Sequence, residues 1–209
     1  DGSVQVVWST DSGGHIKGQG YVYSYDSAGN VNGLAASGGE YNVDSSTAYS
    51  KMRVPVITAL DDGGYMVVWE ASLSGNWVVY GRQYDASGTP VTAETVLATT
   101  GLNANALIFE WEPLPSVTTL ANGQVAITYT IKATGYDVGV TVYDPESHAV
   151  VTSFVANQTL TSDQASPAVS ALDNGNYVVS WDSKDTSGPD QSGQGVWGRI
   201  YAADGTALT

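Results

Sequence analysis

The 209-residue sequence contains no cysteine, which excludes disulfide scaffolds and cysteine-ligated metal centres. A secreted eukaryotic domain of this size often carries disulfides, so their lack points to a bacterial exoprotein or a cytosolic protein. Basic residues are scarce: 7 Lys and Arg stand against 21 Asp and Glu, a formal net charge of −14. A surface that binds duplex nucleic acid must replace phosphate counterions with cations. Nucleic acid and anionic membranes are therefore not expected as partners. No apolar run nears the roughly 18 residues of a membrane span, so no membrane insertion is expected. The two histidines, His15 and His148, fall at different places in the pattern described below and do not form a metal cluster. No G-x-S-x-G elbow and no lysine-bearing phosphate loop occurs. The chain opens at Asp1 without a methionine or a leader, and is expected to be a piece or processed form of something longer.

What is present in quantity is glycine, with 24 residues, alongside Ser, Thr, Asn and Asp. Charged residues make up only 13%, about half the usual share. This is the composition of many short strands joined by turns. One phrase recurs four times, as DGSVQVVW (1–8), DGGYMVVW (62–69), NGQVAITY (122–129) and NGNYVVSW (174–181). A second element follows each copy, and its tyrosines, Tyr25, Tyr84, Tyr143 and Tyr201, recur every 58 or 59 residues. A third precedes three of the copies: PVITAL (55–60), PSVTTL (115–120) and PAVSAL (167–172). Three elements in register are a strong repeat signal. Each unit reads as strands A to D. Proline is expected to open strand A, a glycine turn to lead into B, and a YDxxG-type turn to separate C from D.

In strand B of the second unit Tyr65, Val67 and Trp69 point one way and Met66 and Val68 the other. A sheet that is apolar on both faces needs cover on both, which sheets stacked on their sequence neighbours supply. The expected fold is all-β, a β-propeller-like array of four repeats, each a small antiparallel sheet. The units are 1–53, 54–112, 113–166 and 167–209 of a single repeat domain. Trp8, Trp69, Tyr129 and Trp181 are expected to wedge between blades. A β-sandwich is the alternative, although it would alternate on most strands. The first unit lacks strand A, so a neighbouring chain or the parent polypeptide is expected to provide it.

The phrase P-x-V-x-x-L-x-x-G-x-x-V-V-x-W, followed by V-[YW]-G-R-x-Y-[DA]-A-[SD]-G-T, resembles tandem repeats of large secreted bacterial exoproteins and adhesins of the RTX-like, haemolysin-type calcium-binding kind. The GGxGxD nonapeptide of those proteins is absent. The resemblance implies a non-catalytic, secreted or cell-surface module, structural or adhesive, that associates with other copies or with neighbouring segments of the same protein. A carbohydrate-binding, lectin-like propeller with glycan partners is the alternative.

No catalytic residues are expected. The acidic loop WDSKDTSGPDQSGQG (181–195) offers Asp182, Asp185 and Asp190, hard oxygen ligands that suit calcium, the one cofactor the sequence suggests. Its rival reading is a solvated acidic loop. Tyr41, Tyr49, Phe109, Glu110 and Trp111 lie outside the repeat and are candidates for a ligand or partner surface.

Overall fold

The computed structural model describes residues 3–10, 14–45, 49, 51–105, 114–158, 162–185 and 193–209. Among them are fourteen strands and no helix. The first sheet is β1 (Ser3–Ser9), β2 (Ile16–Tyr25) and β3 (Val31–Asn42). The second is β4 (Met52–Ala59), β5 (Tyr65–Leu73), β6 (Asn76–Tyr84) and β7 (Thr95–Asn103). The third is β8 (Ser116–Thr119), β9 (Val125–Lys132), β10 (Tyr136–Asp144) and β11 (Ala149–Val155). The fourth is β12 (Gln164–Ala171), β13 (Tyr177–Ser183) and β14 (Gly195–Tyr201). Every strand pairs antiparallel with its sequence neighbours, the meander that the repeat implies.

The turns follow from local chemistry. Gly63, Gly123 and Gly175 each take a φ of +82° to +84°, a conformation that side-chain-bearing residues rarely adopt, between the first and second strands of their units. At the next hairpin the carboxylate of Asp26 accepts from the backbone N–H of Ala28 and Asn30, and that of Asp85 from Ser87 and Thr89. The third unit uses a longer turn, where His148 carries the positive φ of +55°. Two of the three repeat prolines sit differently from expectation, whereas Pro115 directly precedes β8 as expected. Pro55 and Pro167 lie inside β4 and β12 and do not open them. The register shifts there, between Arg53 and Val56 and between Ala165 and Ala168. A bulge frees the proline from donating to the ladder. The residue before each proline, Val54, Leu114 or Ser166, has a positive φ of 43° to 52°.

The sheets stack in chain order. Val7 and Tyr41 of the first pack with Tyr65, Val67 and Trp69 of the second. Met66 and Val68, on the opposite face of β5, pack with Val125, Ile127 and Tyr129 of the third. Ala126 and Val140 of the third pack with Tyr177, Val179 and Trp181 of the fourth. The aromatic-ended face of each second strand thus always meets the preceding sheet. Among the described residues no core cluster joins the first and fourth sheets, so the arc is not closed. The result is the all-β, propeller-like arrangement of four antiparallel sheets expected from the repeat.

Candidate functional site

At one end of every sheet, the second strand finishes beside the segment that enters the sheet. Polar side chains gather at this end in repeating positions. In the first sheet Asp44, whose side chain is fully buried, accepts from the backbone N–H of Ile16 (2.6 Å) and pairs with Nδ1 of His15 (2.7 Å). In the third sheet Asn157 takes the same position. Its carbonyl accepts from the N–H of Val138 (2.8 Å), and its amide donates to Asp137 (2.7 Å). Each clamp ties the exit of an outer strand to the start of its neighbour. In the second sheet the buried carboxylate of Glu70 meets Nε of Arg53 at 3.1 Å, and the guanidinium lies 3.9 Å from the centre of the Trp77 ring. A buried carboxylate stays ionised only with such a partner.

A cavity of about 190 Å³ opens between the third and fourth sheets at this end. Asn157 and Gln158 line it from the segment after β11, Gln164 from the start of β12, Trp181 and Asp185 from the end of β13 and beyond, and Trp197 and Arg199 from β14. Trp181 and Trp197 stand opposite one another on paired strands. The Trp181 Nε1–H donates to the Gln164 carbonyl at 2.9 Å, and Gln164 is itself buried. With the Gln158 amide turned so that its oxygen faces Arg199, the guanidinium donates to that carbonyl at 2.7 Å. Asp185 is buried, and its N–H donates to Ser183 Oγ at 3.0 Å. Two indoles, three amides that carry both donors and acceptors, one carboxylate and one guanidinium therefore converge on one small space.

The structure distributes the sequence candidates widely. Trp69, Tyr129 and Trp181 are buried between sheets, whereas Trp8 is half-buried on a face that no sheet covers. Asp182 and Asp185 separate: Asp182 lies on the face of β13 opposite Trp181, which no other described sheet covers, and Asp185 lines the cavity. Asp190 lies outside the described residues, as do Phe109, Glu110 and Trp111. Among the described residues no three His, Asp or Glu side chains come together as metal ligands would. Tyr41 shares a hydrogen bond with Tyr65 (2.7 Å), and Tyr49 packs at 4.7 Å on Tyr80, so both sit against the second sheet. Burial first, then contacts with Tyr80 and Glu94, push the Tyr49 hydroxyl pKa upward. Sequence reasoning missed Gln158, Gln164, Trp197 and Arg199. Trp197 and Arg199 belong to the quoted V-[YW]-G-R phrase, and their alternation along a strand could have revealed a shared face.

No family model and no curated protein sequence matches the chain. Solved structures do resemble it. The intramolecular trans-sialidase from Ruminococcus gnavus aligns over 99% of this chain and 42% of its own, at 11% identity and a TM-score of 0.59. A protein of unknown function from Dyadobacter fermentans aligns over 99% and 72%, at 10% identity and 0.57. An exo-1,5-α-L-arabinanase from a bovine ruminal metagenomic library aligns over 100% and 71%, at 9% identity and 0.50. The chain spans less than half of the trans-sialidase and nearly three quarters of the other two. At such identities the likeness is one of fold.

These findings correct three expectations. The likeness to RTX-like calcium-binding repeats is not upheld, because the solved likenesses include sialidase and arabinanase structures. The residues of the recurring phrase form strand cores and turns: Trp69 and Trp181 are packing wedges, and Gly63 and Gly175 make tight turns. The non-catalytic structural or adhesive role and the expectation of no enzyme were drawn with that resemblance, and they are corrected with it. By fold, the chain is a propeller-like arc of four antiparallel sheets whose likenesses include a trans-sialidase and an arabinanase.

Proposed function

We propose that the chain is a carbohydrate-recognising propeller that receives its glycan at the cavity between the third and fourth sheets. One observation carries this reading: indole surface and convergent hydrogen-bonding groups meet in a single concave site. A sugar ring offers an apolar C–H face, which suits an indole, and hydroxyls that both donate and accept. Gln158, Gln164 and Asn157 can do either, Asp185 accepts, and Arg199 donates. At about 190 Å³ the cavity is smaller than the roughly 300–1,000 Å³ of drug-sized sites, so it suits one sugar residue at the end or branch of a glycan. A secreted or surface location, where such glycans are met, belongs to the same proposal.

Cleavage of a glycosidic bond is a second reading, favoured by the buried carboxylate of Asp185 in the cavity wall. That chemistry ordinarily takes two carboxyl groups about 5–10 Å apart, so it requires a second acid beyond the cavity lining. Immobilised-glycan screening with purified protein, followed by calorimetric titration of the best hit, tests the proposal. Saturable binding that Trp197→Ala and Asp185→Asn each weaken at least about tenfold supports it. Binding that is absent across the screen, or indifferent to both substitutions, rejects it. Release of reducing ends from a bound glycan, lost in Asp185→Asn, selects the second reading.

A further inference from the structure

The three internal junctions share one construction. The later sheet presents the aromatic-ended face of its second strand together with a tyrosine from the end of its third. Tyr84 donates to the Val43 carbonyl of the preceding sheet (3.1 Å), and Tyr201 donates to Ala156 at the matching place (2.7 Å). Tyr84, Tyr143 and Tyr201 are consequently 1%, 1% and 2% exposed.

The first sheet carries the corresponding face of its strand β1, and among the described residues no core cluster covers it. Val4, Val6 and Trp8 lie along β1 on that face, with Tyr21 and Lys17 opposite Val4 and Trp8 on β2. Tyr21, which stands opposite Val4 as Tyr84 stands opposite Tyr65, is only half-buried; Tyr25, the tyrosine of the repeat text, lies beyond the β1 pairing, and Val6, Tyr23 and Leu34 are exposed. The fourth sheet carries the other half of a junction, also uncovered. Val178 and Asp182 of β13 stand opposite Ile200 and Val196 of β14 there, and Val196 is 80% exposed. Charge matches as well. Asp182 occupies the repeat position of Glu70, but Ala165 stands across from it where Arg53 stands across from Glu70. Lys17, one of only 7 basic residues, sits beside Trp8 on the presenting face. Among the described residues no ion pair engages Lys17 or Asp182.

A presenting face and a receiving face at opposite ends of the four-sheet arc make a heterologous, mutually complementary pair. We propose that the first sheet of one copy docks on the fourth sheet of a second copy, head to tail, with Trp8 as the wedge and Lys17 against Asp182. The contact continues the junction that the chain already builds three times. The occupant is a second copy because its fourth sheet supplies both the apolar strip and the carboxylate that the first sheet calls for. The cavity proposed above as a glycan site plays no part in this contact.

Analytical ultracentrifugation of the 209-residue chain at micromolar concentration tests it. The expected mass is twice the 21.8 kDa of one chain. Lys17→Glu and Asp182→Lys should each raise the dissociation constant at least about tenfold, because each sets like charges against one another. The double charge swap should restore the dimer, a rescue that misfolding cannot imitate. Circular dichroism spectra of the single variants should match the wild type, and their Tm should fall only by what the lost association accounts for, whereas misfolding would change the spectra. A wild-type chain that stays monomeric at tens of micromolar overturns the proposal. So does a dimer that neither single substitution weakens.

Discussion

Trp69 and Trp181 hold the same place in their repeats, yet shrinking them to phenylalanine should give opposite outcomes. Both indoles are buried, at 0% and 6% exposure. Loss of the larger ring should cost each site about 1–2 kcal/mol, between a deleted methylene and a whole aromatic side chain. The polar atom separates them. Trp181 Nε1–H donates to Gln164, whose side chain is buried, so Trp181→Phe leaves that carbonyl without its donor and adds about 1–3 kcal/mol. Trp69 Nε1 is buried with no partner, so Trp69→Phe removes an unsatisfied donor and recovers a similar amount. Trp181→Phe should therefore destabilise by about 2–5 kcal/mol, while Trp69→Phe should be close to neutral. With a urea dependence of about 2–3 kcal/mol per molar, the two midpoints should differ by roughly 1 M. Pairing Trp181→Phe with Gln164→Leu should return part of the loss, because removing both partners leaves nothing unsatisfied. Equal midpoints for the two single variants would refute the assignment of the difference to hydrogen bonding.

Further outcomes follow from other positions. Gly139 stands opposite Tyr129 in the β9–β10 pair, and a Cβ there would lie 2.9 Å from the ring's Cδ2 and closer still to Cε2. Gly139→Ala should cost about 1–3 kcal/mol, read as a lower urea midpoint. Ser166, at φ +52° before Pro167, holds strain that glycine releases. Ser166→Gly should stabilise by about 1 kcal/mol after glycine's entropic cost, raising Tm by about 2–4 °C. The turn carboxylates titrate below their ordinary value. Asp26 does so chiefly through the Asn30 N–H, Asp85 through Ser87 Oγ, Asp144 through Ser147 Oγ and Asp204 through the Thr206 N–H. A depressed native pKa means that the unfolded chain binds more protons in that window. Their stabilisation is present above about pH 4 and lost as pH falls through the native values, so Tm should drop from pH 4 downward. Asn substituted at all four positions should flatten that slope.

The four-sheet architecture was legible because it rests on periodic features: apolar alternation on both faces, glycine turns and tyrosines at a fixed spacing. Positive φ at Gly63, Gly123 and Gly175 is the physical content of that pattern. The bulges at Pro55 and Pro167 were not legible, since a proline that opens a strand and one that sits in a bulge look alike in one dimension. The cavity was harder still. Asn157, Gln164, Asp185 and Arg199 come from four separate segments and meet only after two sheets have stacked. The clamp formed by Asp44 and Asn157 escaped notice because the repeat preserves the geometry and changes the residue: a carboxylate facing His15 in one sheet, an amide facing Asp137 in another. The acidic 181–195 loop drew attention through composition, yet backbone alternation sends Asp182 to one face and Asp185 to the cavity.

The stacking order also has a consequence for how the chain comes apart. Among the described residues each sheet packs only on its sequence neighbours, so cohesion runs along one dimension as in a solenoid. The second and third sheets are gripped on both faces, and the end sheets on one. In an unassociated 209-residue chain, opening should therefore begin at the end sheets and travel inward like a fraying rope. Amide exchange in β5 and β9 should report the global event, and exchange in β1 and β14 a cheaper partial one. Cover on both end sheets would remove this gradient and make the chain melt as a single unit.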